Sequence, residues 1–506
     1  MKGRIIAWLI IGFIGIPLLL FFGTALVLFL APGFEIFGIR YVANGVVDYK
    51  KEIPLSSFGG ELYINAYDAP IEIEYAGVSA PKVVFKQKYV GFTRTPDKQP
   101  SIKAEVDANG DLRISTVEIR KFIFASSITD SYLLYVMLPQ NSRDITINAE
   151  TSSVTFKGVV GNASRVNVTS KGKFNVQNTM KIGTLNLNTN SDVNLDTNLT
   201  LTHATISTGN KYINIKNAVT GDLNLKNTSG NIQFNRCQNL TVNTSSGVVK
   251  ASVAGGAVVN GNAKITTRSG SVNLESINGT DTSTITTKTG TINIKKLNYI
   301  DITSNRGNIN LGETTSVKIK GGSGDISIAG VNGKVTISAT SGSVVLGAEN
   351  GNVIQNPVVN TTTGKIYAYN TMGNVSLTST HNLIHLKNKN ASQIRLSAGR
   401  TLTAKNLQGD VNAYANGNVN LHFQNLKKDV TINVGTKCKS VKIDAKCAIF
   451  DEVNYQLKSS KNKAASVYKG DTLLVRSNPI NATNGVAAPL IKVTGAYQVT
   501  TLYLGE

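Results

Sequence analysis

A short glycine-centred phrase recurs along this chain of 506 residues and limits what the chain can fold into. Copies read "TSGNIQF", "RSGSVNL", "KTGTINI", "NRGNINL", "GSGDISI" and "TSGSVVL". In each copy the third residue is glycine, and apolar residues stand two and four positions after it. Because successive side chains of a β-strand point to opposite faces, each apolar pair marks the inward face of a short strand.

The phrase returns at a nearly constant interval. From Gly230 to Gly364 the successive glycines are 17, 23, 20, 17, 17, 18 and 22 residues apart. Further apolar columns stand seven and five positions before the glycine and seven positions after it, where Cys237 aligns with Ile277, Leu297 and Val331. A coil of about 19 residues cannot bury its own inward face, but stacked coils join these columns into one core. The sequence therefore predicts an all-β fold, a parallel β-solenoid or β-helix of about 19-residue coils.

The glycine of the phrase stands in the corner between two strands. Two physical reasons could require glycine there: a positive φ, or a close approach to the backbone of the neighbouring coil. Serine, threonine and asparagine beside it can form local hydrogen bonds in the corner.

The first residues predict a membrane anchor. Residues 5–34 carry no charge. This uncharged run is longer than the ~20 residues that span a bilayer and longer than the ~7–15 apolar residues of a cleavable signal peptide. Lys2 and Arg4 precede this run and Glu35 follows it, so the positive-inside rule keeps the N-terminus cytoplasmic. We expect one uncleaved transmembrane helix, a single-pass signal anchor in the cell membrane, with the rest of the chain extracytoplasmic at the cell surface.

The remaining sequence changes character twice. Before residue 151 the predicted strands lack the glycine phrase, and beyond Asn425 the predicted strands again lack its glycine. We predict five segments: residues 1–34, cytoplasmic N-terminus and transmembrane signal anchor; 35–54, linker; 55–150, small N-terminal β subdomain or cap; 151–425, β-solenoid repeat array; and 426–506, C-terminal β cap.

The order of these segments resembles a known bacterial family. The early "LYINAYDAPIEIEY" leads to "LLYVMLPQNSRDITINAETSSVTFKGVVG" and then to the phrase array. This order resembles the bacterial putative-adhesin domain of unknown function, a glycine-punctuated β-solenoid family of cell-envelope proteins, over about residues 55 to 425. The resemblance implies an exported or envelope-facing, non-enzymatic role and supplies no functional residues.

Positive charge is concentrated in the repeats. Of the formal net charge of +21, residues 151–450 carry 31 Lys+Arg against 12 Asp+Glu, a balance of +19. Several cations recur at fixed positions of the phrase, so stacking would align some of them along one edge that could contact a polyanion. The alternative is an ordinary solvated corner. The candidate contact residues are Lys171, Arg268, Lys288, Arg306, Lys295 and Lys296.

The residues that usually carry chemistry do not converge in this sequence. His381 and His385 are four apart, which in a strand separates them by ~13 Å and argues against a shared metal. Acidic residues of the array are scattered, whereas glycoside-cleaving enzymes need a carboxylate pair. The sequence therefore predicts no enzyme activity, catalytic residue, cofactor or metal. The three cysteines allow at most one disulfide; Cys438–Cys447 pairing stays open, and Cys237 is expected to be buried and unpaired.

The leading interpretation is a membrane-anchored extracytoplasmic protein for adhesion or cell-surface interaction. One alternative is a structural, self-assembling envelope scaffold, and another is a binder of anionic envelope polymers. Expected partners are the membrane through the N-terminal helix, and surface glycans, anionic wall polymers or other envelope proteins. The rows of cations lack interleaved aromatic residues, which argues against nucleic acid.

Overall fold

The computed structural model describes most residues of the chain. These are residues 15–30, 35–36, 39–52, 58–67, 69–78, 80–93, 102–116, 122–139, 144–158, 161–196, 198–448, 453–461, 463–484 and 488–505. The chain divides into two compact units: Met1–Lys211 with Ile215–Val219, and Tyr212–Asn214 with Thr220–Glu506.

A single described helix, α1, spans Ile16–Leu30 and has 15 residues. Within the described residues, no helix combines the length and the apolar character that crossing a membrane requires. The predicted anchor at residues 5–34 lies partly outside the described residues. Membrane anchoring therefore stays a prediction.

The other described elements are strands. In chain order they are β1 (Glu35–Ile36), β2 (Ile39–Glu52), β3 (Leu62–Ala66), β4 (Ile71–Tyr75), β5 (Lys82–Thr93), β6 (Ile102–Val106), β7 (Leu112–Thr116), β8 (Phe122–Leu138), β9 (Asp144–Ala149), β10 (Val154–Gly158), β11 (Gly161–Ser170), β12 (Phe174–Val176), β13 (Met180–Thr189), β14 (Val193–Leu195), β15 (Leu199–Thr208), β16 (Ile213–Ala218), β17 (Asp222–Lys226), β18 (Ile232–Cys237), β19 (Asn239–Thr244), β20 (Val249–Ala251), β21 (Val258–Val259) and β22 (Ala263–Thr267). They continue with β23 (Val272–Ile277), β24 (Ser283–Thr287), β25 (Ile292–Ser304), β26 (Ile309–Gly321), β27 (Ile326–Val331), β28 (Val335–Ala339), β29 (Val344–Leu346), β30 (Ile354–Gln355), β31 (Pro357–Thr361), β32 (Ile366–Ser379), β33 (Ile384–Ala398), β34 (Leu402–Leu407), β35 (Asp410–Ala415), β36 (Val419–Phe423), β37 (Val430–Val434), β38 (Ser440–Ala445), β39 (Asn454–Ser459), β40 (Ala465–Lys469), β41 (Thr472–Ser477), β42 (Ile480–Ala482), β43 (Leu490–Gly495) and β44 (Val499–Leu504).

In the first unit, the coil that comes first in sequence is not the outermost one. Strand β3 pairs in parallel with β7 on one side and with β9 on the other. Strand β4 likewise lies between β8 and β10. Antiparallel strands then cover the outer coil: β6 pairs with β7, β5 with β8, and β2 with β5. Parallel stacking thus includes strands assigned from sequence to the N-terminal subdomain.

In the second unit, coils stack in parallel at the intervals predicted from the phrase. Val272 pairs with Ile292, Ile292 with Ile309, Ile309 with Ile326, and Ile326 with Val344, so successive partners are 20, 17, 17 and 18 residues apart. These five residues are at most 1% exposed. The predicted apolar columns are therefore the core, and the fold is a parallel β-solenoid.

The last strands of the second unit are also interleaved. Strand β43 lies between β37 and β39, and β44 lies between β38 and β40, all in parallel. Antiparallel strands β42 and β41 then pair with β39 and β40. Parallel stacking continues beyond residue 425, while the predicted domain boundaries themselves stay predictions.

Candidate interaction surface

Three of the predicted cations occupy neighbouring corners of three successive coils. The backbone N–H of Lys288 donates to the carbonyl oxygen of Arg268 at 3.1 Å, and that of Arg306 donates to the carbonyl oxygen of Lys288 at 2.8 Å. All three residues are exposed. We refer to Arg268, Lys288 and Arg306 as the corner row.

Buried hydroxyl groups shape the corners that carry this row. The N–H of Gly270 donates to Thr267 Oγ1 at 2.8 Å, and the N–H of Gly290 donates to Thr287 Oγ1 at 3.0 Å. Each bond closes a local turn of the kind that threonine favours beside glycine. Because the hydroxyl points inward, the residue that follows each threonine faces solvent, and in these two coils that residue is the cation.

The other predicted contact residues lie outside the corner row. Lys295 forms an ion pair of 2.8 Å with Glu275. Lys296 stands in strand register between Ser276 and Glu313. Their role in binding a polyanion stays a prediction.

Lys171 belongs to the first unit, where its Nζ lies 3.6 Å from a carboxylate oxygen of Glu150. Both side chains are about half exposed, at 57% and 46%. An ion pair this exposed is worth little, so Lys171 keeps most of its freedom to exchange partners.

The same three coils carry a ladder of asparagine side chains, which sequence reasoning missed. Asn310 Nδ2 donates to Asn293 Oδ1 at 2.7 Å, and Asn293 Nδ2 donates to Asn273 Oδ1 at 2.6 Å. We refer to these three residues as the amide ladder. An amide has two N–H donors and two acceptor lone pairs, so bonds within the ladder leave capacity for a ligand. The signal was present in sequence, because asparagine stands three positions after the glycine in three consecutive phrases.

A groove of ≈ 620 Å³ runs beside the amide ladder. Its other side is formed by Glu275, Lys295 and Gly312, and residues 253–256 lie at one end together with Lys250. A Cβ on Gly312 would come within 1.9 Å of the carbonyl oxygen of Lys295. Glycine therefore allows the close approach of the two coils, and it also leaves the groove without a side chain there.

Residues 253–256 belong to an excursion of the chain between β20 and β21. The N–H of Gly256 donates to the Val253 carbonyl at 3.1 Å, and the N–H of Glu275 donates to the Ala257 carbonyl at 3.2 Å. Gly255 has a φ of +70°, which favours glycine at this turn. These bonds hold the excursion against the coil that carries Glu275.

Gly312 stands at an outward-facing position of its strand. The next two coils have small residues at this position, and the coil after them has an aromatic residue. In strand register, the residues after Leu311, Ile328 and Leu346 are Gly312, Ala329 and Gly347, and the next coil has Tyr369. The His385 ring lies 5.8 Å from the Tyr369 ring and 6.3 Å from the Tyr367 ring, centroid to centroid. We refer to these three residues as the aromatic cluster.

The charges around the aromatic cluster favour a neutral His385 ring. Its pKa lies below the ordinary value because the ring is partly buried and because Lys405 and Lys387 are close. Lys387 Nζ lies 3.3 Å from a carboxylate oxygen of Glu349. Within the described part of the chain, no group of three or more His, Cys, Asp or Glu side chains could hold a metal ion.

A comparison with known families matches a stretch of the chain that contains both the corner row and the amide ladder. Residues 61–310 match the family model described as Toastrack DUF4097. This stretch, just under half of the chain, is similar to the Toastrack family. The aromatic cluster lies beyond the residues matched to the Toastrack family.

Two solved structures show distant similarity to this chain. One is a putative cell adhesion protein from Clostridium sporogenes ATCC 15579, with 14% identity, a TM-score of 0.20, and coverage of 54% of this chain and 100% of that chain. The other is a putative adhesin from Parabacteroides merdae ATCC 43184, with 10% identity, a TM-score of 0.18, and coverage of 79% of this chain and 94% of that chain. No curated protein matches this chain.

Proposed function

We propose that this chain is a membrane-anchored, extracytoplasmic β-solenoid protein for adhesion or cell-surface interaction, and that it acts without catalysis. The similarity of residues 61–310 to the Toastrack family and the parallel coils support such a role. The uncharged run at residues 5–34, preceded by Lys2 and Arg4, supports anchoring with the coils outside the membrane.

The observation that carries this proposal is the repetition of polar side chains in register on adjacent coils. The corner row and the amide ladder place the same kinds of side chain on three coils, which stack ~4.8 Å apart. Repeated weak contacts of this kind suit an extended partner, because affinity accumulates along it.

The test is a binding titration of the full-length protein, held in lipid nanodiscs, on whole cells and on extracted envelope polymers. We expect saturable binding that exceeds binding of empty nanodiscs. Equal binding of loaded and empty nanodiscs to every surface would contradict the proposal.

Binding to anionic envelope polymers is a second candidate function, and the corner row favours it. Three exposed cations on consecutive corners repel one another, and an anionic chain along the row would relieve that repulsion. The positive balance of the repeats would also speed the encounter with such a polymer.

A further inference from the structure

We infer that the groove beside the amide ladder binds a linear acidic polysaccharide, laid along the direction in which the coils stack. This inference rests on the proposed surface-interaction function and names the ligand class and its site. It is carried by three features of the described residues: the spacing of the ladder, the shape of the groove, and the charges around it.

The amide ladder matches a linear chain of sugar rings. Asn273, Asn293 and Asn310 repeat once per coil, at ~4.8 Å, which is close to the length of one pyranose residue in an extended chain. Each amide offers a donor and an acceptor side by side, and neighbouring sugar hydroxyls have the same double capacity. Successive rings can therefore bond to successive asparagines in the same way.

The groove fits the two sides of a sugar ring, one polar and one apolar. The ladder supplies a polar wall, while Ala251, Val253 and Ala254 add apolar surface at the end near the excursion. In the opposite direction the groove continues over small side chains at one outward-facing position of successive coils, which are Gly312, Ala329 and Gly347. A chain leaving the groove along these positions reaches the aromatic cluster, where ring faces provide apolar contact.

The charges favour an acidic polysaccharide over a neutral one. The charged residues that line the groove are Lys250, Lys295 and Glu275, and the last two already form an ion pair. The corner row lies on the same coils, four or five residues before each asparagine of the ladder. A carboxylate on the sugar chain would therefore meet the positive charge of the exposed Lys250 at the end of the groove near the excursion.

The experiment is isothermal titration of the full-length protein in nanodiscs with three polymers: polygalacturonate, linear polyphosphate, and a linear neutral glucan. Asn293→Ala breaks the ladder at its centre, and Ala254→Trp fills the groove from an exposed position. The matched control is Asn186→Ala, because Asn186 Nδ2 donates to Asn167 Oδ1 at 2.8 Å on coils outside the groove.

We expect polygalacturonate to bind more tightly than the other two polymers. Asn293→Ala and Ala254→Trp should each weaken that binding about tenfold, and Asn186→Ala should leave it unchanged. Thermal unfolding of all three variants checks that the fold persists. Polyphosphate binding as tight as polygalacturonate binding, with no effect of either groove variant, would overturn the inference in favour of charge alone.

Cell binding by the same samples separates this inference from the proposed function. If the protein binds cells but does not bind polygalacturonate, the groove assignment is wrong and the surface role stands. If it binds no cells and no envelope polymer, the proposed function itself is wrong.

Discussion

The phrase glycines are needed because neighbouring coils approach closely. A Cβ on Gly290 would lie 2.0 Å from the carbonyl oxygen of Gly270, and one on Gly307 would lie 1.9 Å from that of Gly290. None of these three described glycines has a positive φ. Of the two reasons that the sequence left open, close approach of the backbones therefore applies here.

This close approach predicts a difference between two glycines of the repeat. Gly290→Ala should lower the free energy of unfolding by about 2 kcal/mol, as overpacking of a tight contact does. Gly209→Ala is the control, because its Cβ would meet nothing nearer than Asn190 Oδ1 at 3.8 Å. Urea unfolding followed by circular dichroism measures both. Equal unfolding midpoints for the two variants would show that the corner has room for a methyl group.

The cysteines predict a second result at this scale. Cys237 is unpaired and 0% exposed, as the sequence indicated, and burial raises its pKa to about 12. Cys447 is also unpaired but exposed. A bulky thiol reagent should modify native Cys447, which is exposed, but should modify Cys237 only after denaturation, because Cys237 is buried and its thiol stays protonated, whereas the thiolate is the reactive form. Rapid modification of native Cys237, located by peptide mass mapping, would contradict its place in the core.

At the scale of single strands, one inward position tests the register of the core. Ile292 is fully buried, with Val272 and Ile309 as its neighbours in adjacent coils. Ile292→Asp puts an unpaired charge there, at a cost on the order of several kcal/mol. Thr284→Asp introduces the same charge at an exposed position of a nearby strand. Limited proteolysis should cut the first variant quickly and leave the second as resistant as wild type; equal resistance of both would refute the register.

The corner row makes a prediction about salt. Arg268→Glu with Lys288→Glu should weaken binding to an anionic wall polymer by roughly threefold to tenfold, since exposed ion pairs are worth only about 0.2–1 kcal/mol each. The control is the double variant Lys427→Glu with Lys428→Glu. It changes the net charge by the same amount, at two exposed positions outside the corner row. Raising the ionic strength should weaken binding further. Salt-insensitive binding, or equal loss in both double variants, would remove the corner row from the interface.

The period of the phrase was enough to predict the core and its register. The coils from Val272 to Val344 repeat the same local pattern, so a single alignment predicts all the partners among them. The same alignment placed Arg268 and Lys288 in one column, whereas Arg306 stands one position nearer its glycine and joins the row through its backbone hydrogen bond to Lys288. The groove did not follow from this alignment, because it depends on the excursion at residues 253–256, whose position above the neighbouring coil is set by tertiary contacts.

At the scale of each whole unit, the terminal coils could not be predicted from local sequence. Leu62 pairs with Leu112 and Ile145, and Val430 pairs with Ile491, partners separated by long stretches of chain. The phrase is absent from these strands, so no repeat interval indicates which partner each one takes. Because of this interleaving, the inserted coil has a parallel neighbour on both sides. The exposed edge of the last coil is then paired with antiparallel strands.

Interleaving predicts an effect of truncation. Removing residues 490–506 takes away β43 and β44 and leaves β37 and β38 with a parallel partner on one side only. We expect rapid proteolysis of residues 426–489 in this variant. Leu473→Ser with Leu474→Ser changes only exposed side chains of the outer strand β41 and should leave proteolysis unchanged. Proteolysis of the truncated chain at the wild-type rate would show that the terminal coils do not depend on this layer.

The central claim is that the coils face outward from the membrane, and labelling of Cys447 in intact cells tests it most directly. Cys447 is the exposed cysteine of the described chain, whereas Cys237 and Cys438 are buried. A membrane-impermeant maleimide is applied under mildly alkaline conditions, because partial burial raises the pKa of the Cys447 thiol. Cys447→Ser gives the background. We predict equal labelling of intact and lysed cells; labelling that requires lysis would place the coils inside the membrane and contradict the account.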